Sequence, residues 1–304
     1  MGTVHRISPA AHDVTLARAV DAYLATLGGA EQEGTRRVYG RVLRRVAGEF
    51  GSGTVPGEIS ADRFAAWFGQ QWGDRAPATW NVALDAIRSA AAYWGQQGWI
   101  AADPSRMLRR RRPRPDRSRA LSRGDVEQLL TREDIGLRDR TLWRMLYETA
   151  ARSAEVLGLD VEDLDLPNRR ARVRRKGGAV DVIVWQTGTA RLLPRLLRGR
   201  KAGPVFVTER RARVQLPPSD LDPAGHARLS YQQAEAVFKG ASGGATLHQL
   251  RHSALTHDAE DGTGTPMLMA RSGHTSVRSL AKYARVSAEA LARHQAGRDP
   301  ARRR

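Results

Sequence analysis

The segment from Arg109 to Arg119 constrains this chain more than any other stretch. It sets Arg109, Arg110, Arg111, Arg112, Arg114, Arg117 and Arg119 around Pro113 and Pro115, with Asp116 as its one acid. Like charges at this density cannot share a core, and the prolines deny the segment a regular helix. It therefore divides the 304 residues in two, a length that suits two ordinary domains. We expect residues 14–108 to form one domain, 109–120 a basic linker, 121–285 a second domain and 286–304 a tail. A solvated linker is the plain reading of 109–120, and a strap along a DNA backbone accounts better for its charge.

Residues 14–108 read as a small helical bundle. Leu16, Val20, Leu24 and Leu27 recur at helical spacing before Gly28 and Gly29 end the run. Tyr39, Val42, Leu43 and Val46 mark a second stripe, and Phe64, Trp67 and Phe68 a third, after Ser60. Trp80, Leu84, Ile87, Ala91 and Trp94 alternate steps of four and three and make the cleanest stripe. Such stripes are core, so the opposite faces carry Arg36, Arg37, Arg41, Arg44 and Arg45 outward.

Charge then points to a partner. Against 32 acidic residues stand 50 Lys and Arg, nearly all Arg, for a formal net charge of +18. Counterion release makes a polyanion the natural partner of such an excess, although Arg-for-Lys usage in a GC-rich genome would also raise it. The 41% hydrophobic content is adequate for packed cores. Cysteine is absent, which excludes disulfides, thiolate nucleophiles and cysteine metal sites. No run approaches the length of a membrane span, and we expect a cytoplasmic, nucleoid-associated protein with no membrane partner.

The second domain begins sharply. Ser122 and Asp125 form a capping box, with Leu121 and Val126 as a hydrophobic staple. Helical patterns cover roughly 122–130, 138–150 and 154–158. Val173, then Val180, Val182 and Val184, read as strands around the turn Lys176-Gly177-Gly178. Val205, Phe206 and Val207 suggest a further strand. Ser230 with Gln233, and Thr246 with Gln249, cap two more helices. The expected class is mainly α: a helical N-terminal domain, then a mixed α/β domain with a small antiparallel sheet.

Near the C-terminus, His248, Arg251, His274 and Tyr283 form an H-x-x-R, then a G-H, then a Tyr nine residues on. Two imidazoles, a guanidinium and a phenol suffice to attack a phosphodiester without a metal. No cofactor is called for. Taken singly, each has an ordinary reading: Tyr283 as a buried ring, Arg251 as a helix ion-pair partner, His248 as a local hydrogen-bonding group, His274 as a turn residue. His252 and His257 read as packing groups.

The segment YETAARSAEVLGLDVEDLD resembles the first-arginine box of the tyrosine recombinases, the phage integrase family, with Arg152 as the arginine and Glu155 as the acid that follows. VRRKGGAVDVIV resembles the family's strand-turn-strand, with Lys176 at the lysine position. LHQLRHSALTH supplies His248 and Arg251, and SGHTSVRSLAKYARV supplies His274 and Tyr283. The six positions occur in order, and the resemblance covers most of the chain. Three departures stand out: Ala150-Ala151 where Gly-Leu is common, Gln249 for a frequent Asp, and Arg271-Ser272 for an apolar pair. With only residues 1–13 ahead of the first helical domain, no arm-site-binding module is expected.

The resemblance implies a core-site-binding helical domain, a catalytic domain and site-specific recombination through a 3′-phosphotyrosine. Arg152 and Arg251 would grip the non-bridging oxygens and His274 would donate to them. Tyr283 would attack, His248 would serve as base, and Lys176 would protonate the leaving 5′-oxygen. Double-stranded DNA with paired sites is the implied partner, bound by a homotetramer that is monomeric when free, with a DNA-bending accessory protein possible. Arg36, Arg37, Arg41, Arg109, Arg110, Arg111, Arg112 and Arg114 are the expected DNA contacts. Within the tail, Val286, Ala290, Leu291 and His294 recur at helical spacing, for docking on a neighbour or on the parent domain. Integration of a mobile element is the leading role. A type IB topoisomerase-like nicking-closing enzyme and a non-enzymatic DNA-binding regulator are the alternatives.

Overall fold

The computed structural model describes residues 14–29, 32–112, 120–175, 178–280, 291, 292, 295 and 296. The chain forms two compact units, residues 1–115 and 116–304.

The first unit carries helices and no strand among its described residues: α1 (Leu16–Thr26), α2 (Glu33–Phe50), α3 (Ala61–Trp72) and α4 (Pro77–Gln96), with a 3-10 turn at Pro56–Glu58. Each start has a local cause. The Thr15 hydroxyl accepts from the Arg18 amide, the Ser60 hydroxyl accepts from the Arg63 amide, and Pro77 occupies the first turn of α4. The four stripes expected from sequence become one core in which Leu16, Leu43, Phe64, Phe68, Leu84, Ile87 and Trp94 are buried. Aromatic rings interlock there, Phe68 meeting Trp80 edge-on at 4.7 Å and Trp72 in a tilted pair at 4.6 Å. Trp94 donates its indole N–H to the Ala19 carbonyl at 2.9 Å, which joins α4 to α1. The faces with Arg36, Arg37, Arg41, Arg44 and Arg45 are exposed.

The start of the basic segment folds back onto this unit. The Trp80 indole donates to the Arg109 carbonyl (2.9 Å), and Asn81 exchanges hydrogen bonds with the Arg111 backbone at 2.8 and 2.9 Å. The Arg111 guanidinium stacks 3.7 Å from the Trp80 ring centre and donates to the Gly73 carbonyl. Arg110 pairs with Asp85. Arg109 and Arg112 stay exposed, and Arg114 lies outside the described residues.

The second unit packs helices around a small sheet. In order come α5 (Arg123–Thr131), α6 (Leu137–Thr149), α7 (Ser153–Leu157), β1 (Leu164–Asp165), β2 (Arg170–Arg174), β3 (Val180–Val184), α8 (Thr187–Leu197), β4 (Val207–Arg211), β5 (His226–Arg228), α9 (Tyr231–Ala241), α10 (Leu247–Glu260), α11 (Thr265–Ser272) and α12 (Val277–Leu280). The capping boxes at Ser122, Ser230 and Thr246 all form. Strands β1, β2 and β3 make one antiparallel sheet, with Arg172 opposite Val182; β4 and β5 make a second. Alternation along β2 buries Ala171 and Val173 and exposes Arg170, Arg172 and Arg174. Val205 and Phe206 are buried before β4, which begins only at Val207, so the apolar run marks core entry and not the strand itself. Helices α8 and α11 have no counterpart among the expected patterns. Helix α8 carries an internal proline, Pro194, and α11 has a short, mixed composition.

Among the described residues, no helix is long and apolar enough to cross a membrane. Truncating Trp94, which is fully buried and hydrogen-bonded, tests the bundle: Trp94→Ala is expected to lose about 3–5 kcal/mol of unfolding free energy by urea titration. A loss below about 1 kcal/mol contradicts this packing.

Candidate active site

Two arginines widely separated in sequence meet at one short turn. Helix α11 ends at Ser272, and Gly273 follows in the left-handed region with φ 61°. The carbonyls of these two consecutive residues receive different arginines: Arg251 donates to Ser272 O at 2.8 Å, and Arg152 to Gly273 O at 3.4 Å. The next residue is His274. Its Nδ1 lies 2.7 Å from the Ser272 hydroxyl, which orients the ring.

Each arginine has its own scaffold. Arg152 is the N-cap of α7, extended at φ −71° and ψ 145°, with its amide held by the Glu155 carboxylate at 2.9 Å. The other Glu155 oxygen accepts from the Arg152 guanidinium at 2.7 Å. The Arg152 side chain is 36% exposed, so part of its donor set faces outward. Arg251 sits one turn inside α10 and is buried, with a second donation, 2.5 Å, to the Ala150 carbonyl. His248 is exposed on the first turn of α10, three residues before Arg251, and so shares its side of the helix.

The unusual residues of the sequence find reasons here. Ala150 terminates α6 in the left-handed region at φ 51°, the conformation that favours glycine, and its carbonyl is the one Arg251 uses. Arg271 ion-pairs with Asp258 on α10 and donates to the Glu148 carbonyl on α6, so it ties three helices together. Ser272 contributes both a carbonyl to Arg251 and a hydroxyl to His274. Gln249 completes the Thr246 capping box.

Lys176 and Tyr283 lie outside the described residues, as does most of the tail; Leu291 is exposed. The flanks of the Lys176 turn are closed, with the Arg175 amide donating to Ala179 O at 2.7 Å and the Gly178 amide to Arg175 O at 3.1 Å. Leu280, three residues before Tyr283, is buried in a small cluster with Ala150, Ala254, Leu255 and Leu268. Sequence reasoning missed Arg175, which lies next to Lys176 yet is buried against Glu155. No cluster of His, Cys, Asp or Glu able to hold a metal ion occurs among the described residues.

The profile of the phage integrase family matches residues 119–290. Tyrosine recombinase XerD of Mycobacterium leprae is 30% identical over 235 residues, 72% of each chain, and XerC of the same organism is 29% identical over 288 residues, 89% of this chain and 94% of that one. A lambda integrase tetramer bound to a Holliday junction superposes with a TM-score of 0.70 at 15% identity, covering 89% of this chain and 77% of the other. The Tn1549 transposon integrase bound to circular-intermediate DNA gives 0.66 at 16% identity, covering 93% and 99%. The family match and these relatives define a DNA strand-transfer enzyme of the tyrosine type. The chain belongs to the phage integrase family, and its activity is site-specific recombination by way of a tyrosine nucleophile. Neither the topoisomerase-like nor the regulator alternative finds support in these likenesses.

A buried histidine elsewhere on α10 gives a pH test. His257 on α10 has Nδ1 2.7 Å from the Tyr147 hydroxyl, and burial, then the nearby Arg123 charge, hold its pKa below the ordinary 6.5. The folded protein therefore keeps this ring neutral where the unfolded chain takes up a proton. Stability falls as pH drops through about 6.5 and goes on falling toward the folded-state value. We expect the urea midpoint to fall between about pH 7.5 and pH 5.5, and to fall less in His257→Gln. An identical pH slope in the two proteins contradicts the assignment.

Proposed function

We propose that the turn at Ser272–His274 is the phosphate-binding centre of the recombinase, with Arg152, Arg251 and His274 around the scissile phosphate. The single observation that carries this reading is the pair of consecutive carbonyls holding both arginines. Cleavage passes through a phosphorane with extra negative charge on its non-bridging oxygens, and fixed guanidiniums stabilise that charge without reorganising. Main-chain carbonyls suit the task because they orient a guanidinium without cancelling its charge.

Tyr283 attacks phosphorus while His248 takes its proton, forming the bond from tyrosine oxygen to phosphorus. The bond from phosphorus to the 5′-oxygen breaks, and Lys176 protonates the departing oxygen. Attack by a partner strand's 5′-hydroxyl reverses these steps and releases Tyr283, so no external energy source is consumed.

The helical unit and basic segment would clamp duplex DNA mainly through phosphates, with Arg36, Arg37, Arg41, Arg109 and Arg112 exposed for this. Arg110 and Arg111 are engaged with Asp85, Trp80 and Gly73, and reach DNA only by leaving those partners. A homotetramer on paired sites, integration of a mobile element, an accessory bending protein and a docking role for 286–304 complete the reading. The lambda integrase tetramer on a Holliday junction supports the assembly by analogy of fold.

A duplex bound by Tyr283→Phe protein, selected from a random-sequence pool, supplies the substrate. Nicked near the crossover, it is expected to trap wild-type protein as a covalent adduct and to give none with Tyr283→Phe. Arg251→Ala should slow adduct formation by about 100- to 1,000-fold. An adduct at wild-type rate with Tyr283→Phe excludes Tyr283 as the nucleophile. On the same duplex, replacing Arg36, Arg37 and Arg41 by Gln is expected to lower the magnitude of the salt slope of log K by about 0.9 for each phosphate the variant no longer neutralises. An unchanged slope removes that face from the interface.

A further inference from the structure

We infer that Arg175 is a positioning residue that keeps Arg152 and His274 in register, an inference that rests on their proposed phosphate-binding roles. Between Arg174 and Lys176 it reads in sequence as one more solvated base. Alternation explains why it is not: β2 turns Arg170, Arg172 and Arg174 outward, and Arg175, the first residue past the strand, is only 8% exposed.

Its guanidinium closes a ring of contacts. One nitrogen donates to Glu155 Oε2 at 2.7 Å, and Nε donates to Asp181 at 3.0 Å. The other Glu155 oxygen holds Arg152 at 2.7 Å, and Arg152 donates on to the Gly273 carbonyl. Gly273 in turn lies flat against Arg175: a methyl group there would stand 2.6 Å from Cζ and 2.7 Å from Nε. The ring thus runs from Arg175 through Glu155 and Arg152 to Gly273 and back by packing. The remaining Arg175 nitrogen is buried with no hydrogen-bond partner, so placement and not full satisfaction governs this side chain.

Competition for one carboxylate gives the ring its effect. A carboxylate beside a lone guanidinium tends to close on it with both oxygens. Here Oε2 is taken by Arg175 and by the Arg152 amide, so Glu155 grips the Arg152 guanidinium through Oε1 alone and leaves the rest of its fork for Gly273 and a phosphate. Without Arg175, Glu155 is released to take Arg152 more fully, and the turn before His274 loses the surface it rests on.

The test compares adduct formation on the selected suicide duplex with that on the same duplex carrying a methylphosphonate at the scissile position. Replacing a non-bridging oxygen by methyl removes one negative charge, and with it part of the need for guanidinium stabilisation. Arg175→Gln is expected to slow cleavage of the phosphodiester about 10- to 100-fold without loss of duplex affinity, and to recover most of that deficit on the methylphosphonate. Arg175→Lys, which keeps a charge beside Glu155 but lacks the planar fork, should show a smaller deficit with the same substrate dependence, and it serves if the Gln variant fails to fold. Equal slowing on both substrates in whichever variant folds overturns the inference. Arg152→Ala is the separate control: a deficit of equal size on both substrates overturns the phosphate-binding reading beneath it.

Discussion

Two carbonyl oxygens on adjacent residues hold this site together. Ser272 takes Arg251 from α10, and Gly273 takes Arg152 from the start of α7. Because the second of these residues adopts a left-handed conformation, the chain reverses sharply after α11 and presents His274 immediately beyond. Helices α7, α10 and α11 therefore converge on a length of backbone two residues long. The end of α6 joins them through Ala150, whose carbonyl shares Arg251 with Ser272.

Such convergence is costly to build. Arg251 and Arg175 are both buried cations, and stripping water from a guanidinium is unfavourable unless its donors find partners. The fold offsets this with carbonyls for Arg251 and with two carboxylates for Arg175. Ala150 adds backbone strain of about 1–2 kcal/mol, as a non-glycine residue in the left-handed region. The ion pair of Arg271 with Asp258 and its bond to the Glu148 carbonyl brace α6, α10 and α11. Two buried cations and one strained residue thus lie around the turn proposed to hold the phosphate, while the first unit has an aromatic core of ordinary kind.

Periodicity made the first unit legible: every stripe from Leu16 to Trp94 became a buried helical face, because a bundle core obeys helical spacing directly. Caps were equally readable, since Ser122, Ser230 and Thr246 act through neighbours three residues away. Helix α8 escaped notice because a proline interrupts it, and Val205 and Phe206 misplaced a strand because burial and pairing are separate properties. Within the site, Arg152, Arg251 and His274 were recognisable from motif spacing. Arg175 was not, for in a run of bases only the pleat of β2 tells which one turns inward. Likewise, the backfolding of Arg110 and Arg111 onto α4 depends on Asp85 and Trp80, partners some 25 to 31 positions distant.

The reversal after α11 also sets where this protein tolerates insertion. A single residue added between Ser272 and Gly273 would move one arginine's anchor relative to the other by a full peptide unit, and no side-chain rearrangement restores both at once. The exposed stretch from Arg213 to Gln215, between β4 and β5, carries no such burden. Among relatives of this chain, length should therefore vary freely in the second place and scarcely at all in the first.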